Sequence, residues 1–122
     1  MDFVDWIHQC GLRQIQCFNT STEDFKEDGE ALAQFVRTHT LAALDEVHEI
    51  LGCIRWKPWA NDQGELKVTK WETTQEIADA LVFLGNLCWA LGIDGVDISA
   101  ALMQCDAKIR ERASRPEGYS AR

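Results

Sequence analysis

The order of apolar and polar residues along the chain predicts four helices and one long irregular segment. Apolar residues recur at spacings of three and four over residues 2–18, 29–51, 69–91 and 97–112, which is the period of an amphipathic helix. Residues 53–70 lack that period and contain a proline, a glycine and an Asn-Asp pair, which are typical of a loop. We therefore expect an all-α fold, a four-helix bundle-type protomer with one long loop.

Capping signals place the ends of the third and fourth helices. Thr69 and Glu72 have the spacing of a capping box, and Gly92 is a typical residue at a helix C-terminus. Asp94 or Asp97 can cap the fourth helix. The inward face of that helix is predicted to consist of Ile98, Ala101, Leu102, Cys105 and Ile109.

The third predicted helix carries three polar residues in an otherwise apolar stretch. Because the stretch from Glu76 to Leu91 is mostly apolar, we expect this helix to be buried on most of its circumference. Glu76, Asp79 and Asn86 are spaced by three and seven residues, which places them on one face. A carboxylate in an apolar setting is costly unless it is paired or binds a metal. No lysine or arginine lies between residues 71 and 107, so a cation is expected from elsewhere.

A second pair of acids, Glu46 and Glu49, has the same spacing on the second predicted helix. Four carboxylates brought together by two helices repel one another unless a counter-charge is present, and divalent cations would supply it. All-oxygen ligands favour Mg²⁺, with Mn²⁺ as a substitute. The alternative is that these acids are ordinary solvated charges on amphipathic helices.

Length and charge limit the class of protein. A chain of 122 residues predicts one domain, here over residues 1–113, followed by a tail over residues 114–122. The formal net charge of -8 disfavours binding to nucleic acids and to anionic membranes.

The cysteines and the N-terminus indicate a cytoplasmic protein. The five cysteines show no Cys-x-x-Cys motif, which suggests reduced thiols. The N-terminus carries Asp2 and Asp5 and lacks the basic region of a signal peptide. The longest apolar run, over residues 77–91, is too short to span a membrane.

Further candidate ligand contacts lie in the loop and near the helix ends. Trp56, Lys57 and Trp59 combine aromatic and basic side chains, which can form a ligand wall or simply close the bundle. Gln16 and Asn19 lie near the end of the first helix, where polar residues are also common for structural reasons. The fourth helix ends with Lys108, Arg110 and Arg112, which suit a helix C-terminus for stability alone.

This set of residues resembles the all-α nucleoside triphosphate pyrophosphohydrolases, the MazG and dimeric dUTPase superfamily. The family motif of Glu-x-x-Glu followed by Glu-x-x-Asp matches Glu46-Val-His-Glu49 and Glu76-Ile-Ala-Asp79. Asn86 follows the motif aspartate by seven residues, as in MazG-type proteins.

The resemblance extends over roughly residues 16–112 and includes features of both branches. Lys108 and Arg112 match an Asn-x-Lys-x-x-x-Arg pattern of MazG-type proteins, although Asp106 replaces the asparagine. The segment with Trp56, Lys57 and Trp59 is similar to a loop of dimeric dUTPases, and Gln16-Cys-Phe-Asn19 is similar to the Gln-x-x-Asn of their first helix.

The resemblance implies Mg²⁺-dependent hydrolysis of (d)NTP to (d)NMP and pyrophosphate in nucleotide-pool housekeeping. It implies metal binding by all four acids, with Glu46 or Glu49 activating the water. The implied phosphate contacts are Lys57, Lys108, Arg112 and Arg115, and the implied base or sugar contacts are Gln16, Asn19, Trp56 and Trp59, with Asn86 as a further substrate contact. The implied partners are a nucleoside triphosphate, preferably deoxy, and further copies of the chain in a homo-dimer or homo-tetramer.

Three alternatives remain open from the sequence. One is a dUTP-specific diphosphatase of the dimeric dUTPase type. Another is a non-catalytic helical interaction module whose acids pair with Lys57, Lys67 or Lys70. A di-metal oxidase of the ferritin-like type is disfavoured, because the chain has no Glu-x-x-His motif.

Overall fold

A computed structural model describes residues 1–117. They form five helices, α1 (Phe3–Phe18), α2 (Thr22–Glu27), α3 (Gly29–Leu51), α4 (Lys70–Ala90) and α5 (Gly95–Ala113). No strand is present between residues 1 and 117, and an isolated β-bridge joins Ile54 to Leu66 inside the α3–α4 loop. The expected all-α class is confirmed, and so are the bounds predicted for α3. The predicted number of four helices is wrong, because α2 was not expected.

The unexpected helix α2 is stabilised by a cap and by one aromatic side chain. The Ser21 hydroxyl accepts a hydrogen bond from the Glu23 backbone N–H at 3.2 Å. Phe25 is buried, and its ring centroid lies 5.2 Å from that of Phe35 and 6.1 Å from that of Trp89. A helix of six residues spans less than two turns, so it is too short to show a hydrophobic period in the sequence.

The predicted capping signals determine where α4 and α5 begin. Thr69 and Glu72 form the expected capping box, with hydrogen bonds of 3.0 and 3.1 Å. Of the two predicted caps for α5, Asp94 is the N-cap, and Asp97 completes a second capping box. The helix therefore begins at Gly95, two residues before the predicted start.

The core lies where α4 packs between α3 and α1. α3 and α4 share the most extensive contact of the fold, α1 packs on α4 and α5, and α2 packs on α3. Gly85 of α4 permits a close approach to α1, because a Cβ atom at this position would lie 2.5 Å from Cys10 Sγ and 2.9 Å from the Trp6 ring. The buried apolar residues are small for the most part: Ile7, Cys10, Phe25, Ala43, Cys53, Ala80, Cys88 and Ala90.

Two predictions about buried faces are wrong for the single chain. On α4, Ile77, Leu81 and Leu84 are 44–47% exposed, so the helix is not covered on most of its circumference. On α5, residues 101–111 are exposed, including four of the five residues that were predicted to face inward. Apolar periodicity identifies a face of a helix but not the direction in which the chain turns.

The direction of α5 is set by the turn that precedes it. Gly92 adopts a φ of +72°, a left-handed conformation that glycine adopts at little cost, and the Asp94 cap follows directly. The axes of α4 and α5 are bent by 115° to each other. α5 consequently packs on α1. Within the described chain, neither of these helices nor any other has by itself the length and apolarity of a membrane span, although α4 and α5 meet that criterion as a bent pair.

The predicted tail begins where α5 ends, at Ala113. Residues 118–122 of that tail lie outside the described residues.

Candidate functional site

The acidic residues of α3 and α4 meet where the two helices pack side by side. Glu46 and Glu49 of α3 and Glu76 of α4 each place one carboxylate oxygen within 4.8 Å of the other two. His39 of α3 lies beside Asn86 of α4, so the two helices run antiparallel. We refer to Glu46, Glu49 and Glu76, together with Asp79 one turn further along α4, as the acid cluster.

Two glutamates of the acid cluster, Glu46 and Glu76, have raised pKa values. Partial burial is the largest cause that raises the pKa of Glu46, followed by the negative charges of Glu49 and Asp79. For Glu76, the neighbouring carboxyl group of Glu49 is the largest cause that raises the pKa, followed by partial burial.

No side-chain cation neutralises this cluster in the described part of the chain. The five ion pairs found there all involve other acids. In addition, Glu76 Oε2 is buried and has no hydrogen-bond partner among the described residues. An ionised carboxylate in this position is destabilised until a proton or a cation binds to it.

The donor set of the cluster fits a hard divalent cation. Three carboxylates supply oxygen ligands only, which Mg²⁺, Mn²⁺ and Ca²⁺ prefer. Ligands on opposite sides of a Mg²⁺ ion lie about 4 Å apart, so the separation of these oxygens requires only small side-chain rotations. The three glutamates can therefore hold a metal ion.

A cavity of about 660 Å³ opens directly beside the acid cluster. Glu49 and Glu76 of the acid cluster line it, and so does Trp56 of the α3–α4 loop. The loop is held by backbone hydrogen bonds from Arg55 to Glu65 and from Gly64 to Arg55, at 2.9 and 2.7 Å. This cavity, which we call the acidic pocket, is large enough for a small-molecule ligand.

The other two loop residues proposed from the sequence lie outside the lining of the acidic pocket. The Lys57 ammonium group lies 5.7 Å from the centroid of the Trp59 ring. Trp59 is 76% exposed. The loop thus places Trp56 in the lining of the acidic pocket and Trp59 outside it.

A second cavity, of about 510 Å³, lies further along the same two helices. Asn86 lines it and is 4% exposed, which makes it one of two buried polar residues in the described chain. Its Nδ2 lies 3.3 Å from His39 Nδ1, while its Oδ1 is buried and has no hydrogen-bond partner in the part of the chain that the structure describes. We call this cavity the aromatic pocket, because Phe18, Phe35, His39 and Phe83 also line it.

The glutamine of α1 that reaches the aromatic pocket is Gln14 rather than Gln16. Gln14 is 5% exposed and lines the pocket, whereas Gln16 is exposed and does not. Asn19 is the C-cap of α1, with a left-handed φ of 53°, and its backbone N–H bonds to the Gln14 carbonyl. Residues two apart on a helix point in nearly opposite directions, so the side chains of Gln14 and Gln16 lie on different faces of α1.

Sequence reasoning also missed three other residues of the aromatic pocket. His39, Phe35 and Phe83 fall on the apolar period of α3 and α4, which predicts only that they pack in the core. These three side chains form the aromatic pocket together with the buried amide of Asn86. Asn86 stood out in the sequence as a polar residue in an apolar stretch. No sequence signal indicates that aromatic residues of α3 and α4 form a cavity around it.

The basic residues of α5 are not brought to the acid cluster within one chain. Lys108 is exposed and Arg112 is half-buried, on a helix that packs on α1. Arg115 donates to the Glu111 carboxylate at 2.7 Å, and this hydrogen bond lowers the pKa of Glu111. Asp106, which replaces the family asparagine, accepts a hydrogen bond from Arg110 at 2.8 Å.

Comparison of this chain with protein-family models, with curated proteins and with solved structures gives no match.

Proposed function

We propose that the protein is a Mg²⁺-dependent nucleoside triphosphate pyrophosphohydrolase that converts (d)NTP to (d)NMP and pyrophosphate. The observation that carries the proposal is the meeting of the Glu46, Glu49 and Glu76 carboxylates beside a cavity of about 660 Å³, with no side-chain counter-charge among residues 1–117. A polyphosphate and this cluster are both strongly negative, so a divalent cation between them makes their association favourable. Removal of surplus or non-standard nucleotides is the corresponding cellular role.

The acid cluster supplies the groups that the reaction needs. Bound Mg²⁺ would neutralise phosphate charge and polarise the attacking water. Glu46, Glu49 and Glu76 would hold the metal, with Asp79 one turn further along α4 as the fourth ligand. Glu49 lines the acidic pocket and Glu46 does not, so we assign to Glu49 the orientation of the water and the acceptance of its proton. The water oxygen bonds to phosphorus as the α–β anhydride bond breaks, and pyrophosphate leaves.

Substrate contacts outside the cluster follow from the loop and from α5. Trp56 lines the acidic pocket and offers an aromatic face to the nucleotide. Lys57, in the next position, reaches phosphate oxygens after a change of rotamer. Lys108, Arg112 and Arg115 lie on or just after α5. We propose that they contact the phosphate groups of a substrate in the acidic pocket of a neighbouring copy.

The exposed apolar faces support a homo-oligomer. Ile77, Leu81 and Leu84 form an exposed row on α4, and Leu41, Leu44 and Val47 form another on α3. Contiguous apolar surface of this kind marks an interaction site. We propose a homo-dimer or homo-tetramer in which these rows are covered by another copy.

The ion pairs argue against the non-catalytic alternative. An interaction module would pair its acids with Lys57, Lys67 or Lys70. None of these lysines forms an ion pair with the acid cluster in the described structure.

The test is a screen for pyrophosphate release from the standard dNTPs and NTPs and from dUTP, with and without Mg²⁺. We expect Mg²⁺-dependent release from several dNTPs. Release from dUTP alone would identify the dUTP-specific alternative. Release from none of these substrates would contradict the proposal.

A further inference from the structure

The aromatic pocket contains a buried hydrogen-bond acceptor that none of residues 1–117 satisfies. Asn86 is 4% exposed, and its Oδ1 has no partner among the described residues. An unpaired buried polar atom of this kind is costly, and few are retained in folded proteins without a reason. A ligand that donates a hydrogen bond to this oxygen would remove the cost.

The neighbouring histidine determines which end of the Asn86 amide is left unpaired. Asn86 Nδ2 lies 3.3 Å from His39 Nδ1. An amide NH₂ group only donates, so Nδ1 must accept, and the imidazole proton is then on Nε2. Burial lowers the pKa of His39, which favours the neutral ring that this arrangement requires.

The position of His39 is itself fixed by aromatic packing. Its ring stacks on Phe35, with centroids 3.9 Å apart and planes 17° apart, and its centroid lies 5.8 Å from that of Phe83. The rings of Phe35, His39 and Phe83 thus line the same cavity as the Asn86 amide. A cavity with aromatic walls and an unpaired amide is suited to a flat ring that has polar atoms on its edge.

We propose that the aromatic pocket binds a nitrogen heteroaromatic ring that donates an N–H hydrogen bond to Asn86 Oδ1, and that His39 positions the Asn86 amide for this selection. His39 acts through Asn86 and is a positioning residue. Gln14, buried in the same pocket, provides a second amide for the ring edge.

The place of the pocket on the helices connects it to the proposed hydrolase. His39 and Glu46 are seven residues apart on α3, and Asn86 and Asp79 are seven apart on α4. At the rise of an α-helix, each separation corresponds to roughly 10 Å along the same face. A sugar can bridge this distance between a base in the aromatic pocket and phosphates at the acid cluster. The bridging of the two sites by one nucleotide rests on the proposed function, whereas the selection of an N–H donor by Asn86 does not.

The experiment measures nucleoside binding to the full chain by calorimetry, without phosphate groups and without Mg²⁺. The probes are matched pairs: deoxyuridine with its N3-methyl derivative, deoxycytidine with its N4,N4-dimethyl derivative, and deoxyadenosine with its N6,N6-dimethyl derivative. We expect at least one parent nucleoside to bind about tenfold or more tightly than its methylated counterpart, because methylation removes the N–H donor.

Variants separate this selection from simple packing. His39→Phe retains an aromatic ring next to Phe35 but removes Nδ1, so the Asn86 amide loses the partner that orients it. We expect the preference for the parent nucleoside to fall toward equality while the far-ultraviolet spectrum remains that of the wild type. Asn86→Leu should abolish the preference as well, and His8→Phe on the exposed face of α1 should leave it unchanged.

Three results would overturn the inference: no nucleoside binds, the methylated forms bind as tightly as their parents, or His39→Phe keeps the full preference. Failure of the proposed hydrolase is distinguishable from these results. In that case selective nucleoside binding persists and no pyrophosphate is released from any triphosphate.

Discussion

A carboxylate oxygen of Glu76 on α4 lies within 4.8 Å of a carboxylate oxygen of Glu49 on α3, and no basic side chain of the described structure forms an ion pair with either. The helices α3 and α4 therefore pack against each other with like charges facing. A cation that binds between these carboxylates would relieve the repulsion. The stability of the fold should therefore depend on divalent cations and on pH.

Mg²⁺ should stabilise the folded protein. A cation that binds the native acid cluster and not the unfolded chain raises the unfolding temperature as its concentration increases. At cation concentrations well above the Kd, the increase should be several degrees. Glu76→Gln should remove most of this increase, while Glu65→Gln, an exposed acid in the loop, should retain it. The measurement is thermal unfolding with Mg²⁺ and with a chelator; equal increases for the two variants would show that the ion binds elsewhere.

Without metal, stability should fall as the pH rises through the range of these acids. The pKa values of Glu46 and Glu76 are raised in the folded state, so the folded protein binds more protons than the unfolded chain between the ordinary and the raised values. Their contribution to stability is then fully present below the ordinary carboxyl pKa and is lost as the pH rises through the raised one.

The check on this pH dependence is the difference in unfolding free energy between the wild type and Glu76→Gln in chelator. The variant cannot ionise at position 76, so its advantage over the wild type should grow as the pH rises through this range. A constant difference would mean that Glu76 is not perturbed by its neighbours.

The close packing of α1 on α4 should depend on the absence of a side chain at Gly85. Gly85→Ala would place Cβ 2.5 Å from Cys10 Sγ, and we expect a loss of about 1–3 kcal/mol in the free energy of unfolding. Gly29→Ala is the matched control, since nothing lies within 4 Å of its added Cβ. Chemical denaturation of both variants provides the test, and an equally stable Gly85→Ala would contradict this packing.

Self-association should depend on the apolar row of α4. Leu81→Glu introduces a charge between Ile77 and Leu84, and burial of that charge in an interface should weaken association at least about tenfold. Gln75→Glu, at an exposed position of the same helix, should have little effect. Sedimentation equilibrium measures both variants; a monomeric wild type would exclude the proposed oligomer.

The sequence predicted those features that depend on local signals. Helix α3 and the Thr69–Glu72 capping box follow from hydrophobic period and cap chemistry, which act over a few residues. The acid pairs Glu46/Glu49 and Glu76/Asp79 were likewise indicated by their spacing and by the lack of basic residues between positions 71 and 107.

Features that depend on tertiary geometry were not predictable in the same way. The orientation of α5 depends on one turn at Gly92, and the selection of Gln14 over Gln16 depends on which face of α1 meets α4. The pairing of His39 with Asn86 joins residues 47 positions apart in the chain. No local pattern encodes such contacts.

The central claim is that the acid cluster is a metal-dependent hydrolytic site, and Asp79→Ala tests it most directly. We would measure pyrophosphate release from a dNTP mixture with Mg²⁺ for the wild type, Asp79→Ala and Glu65→Gln, together with far-ultraviolet spectra of all three. Loss of a metal ligand should lower the rate by more than about a hundredfold with the helical spectrum unchanged, and Glu65→Gln should retain the rate. Release by Asp79→Ala at the wild-type rate would contradict the assignment of the site.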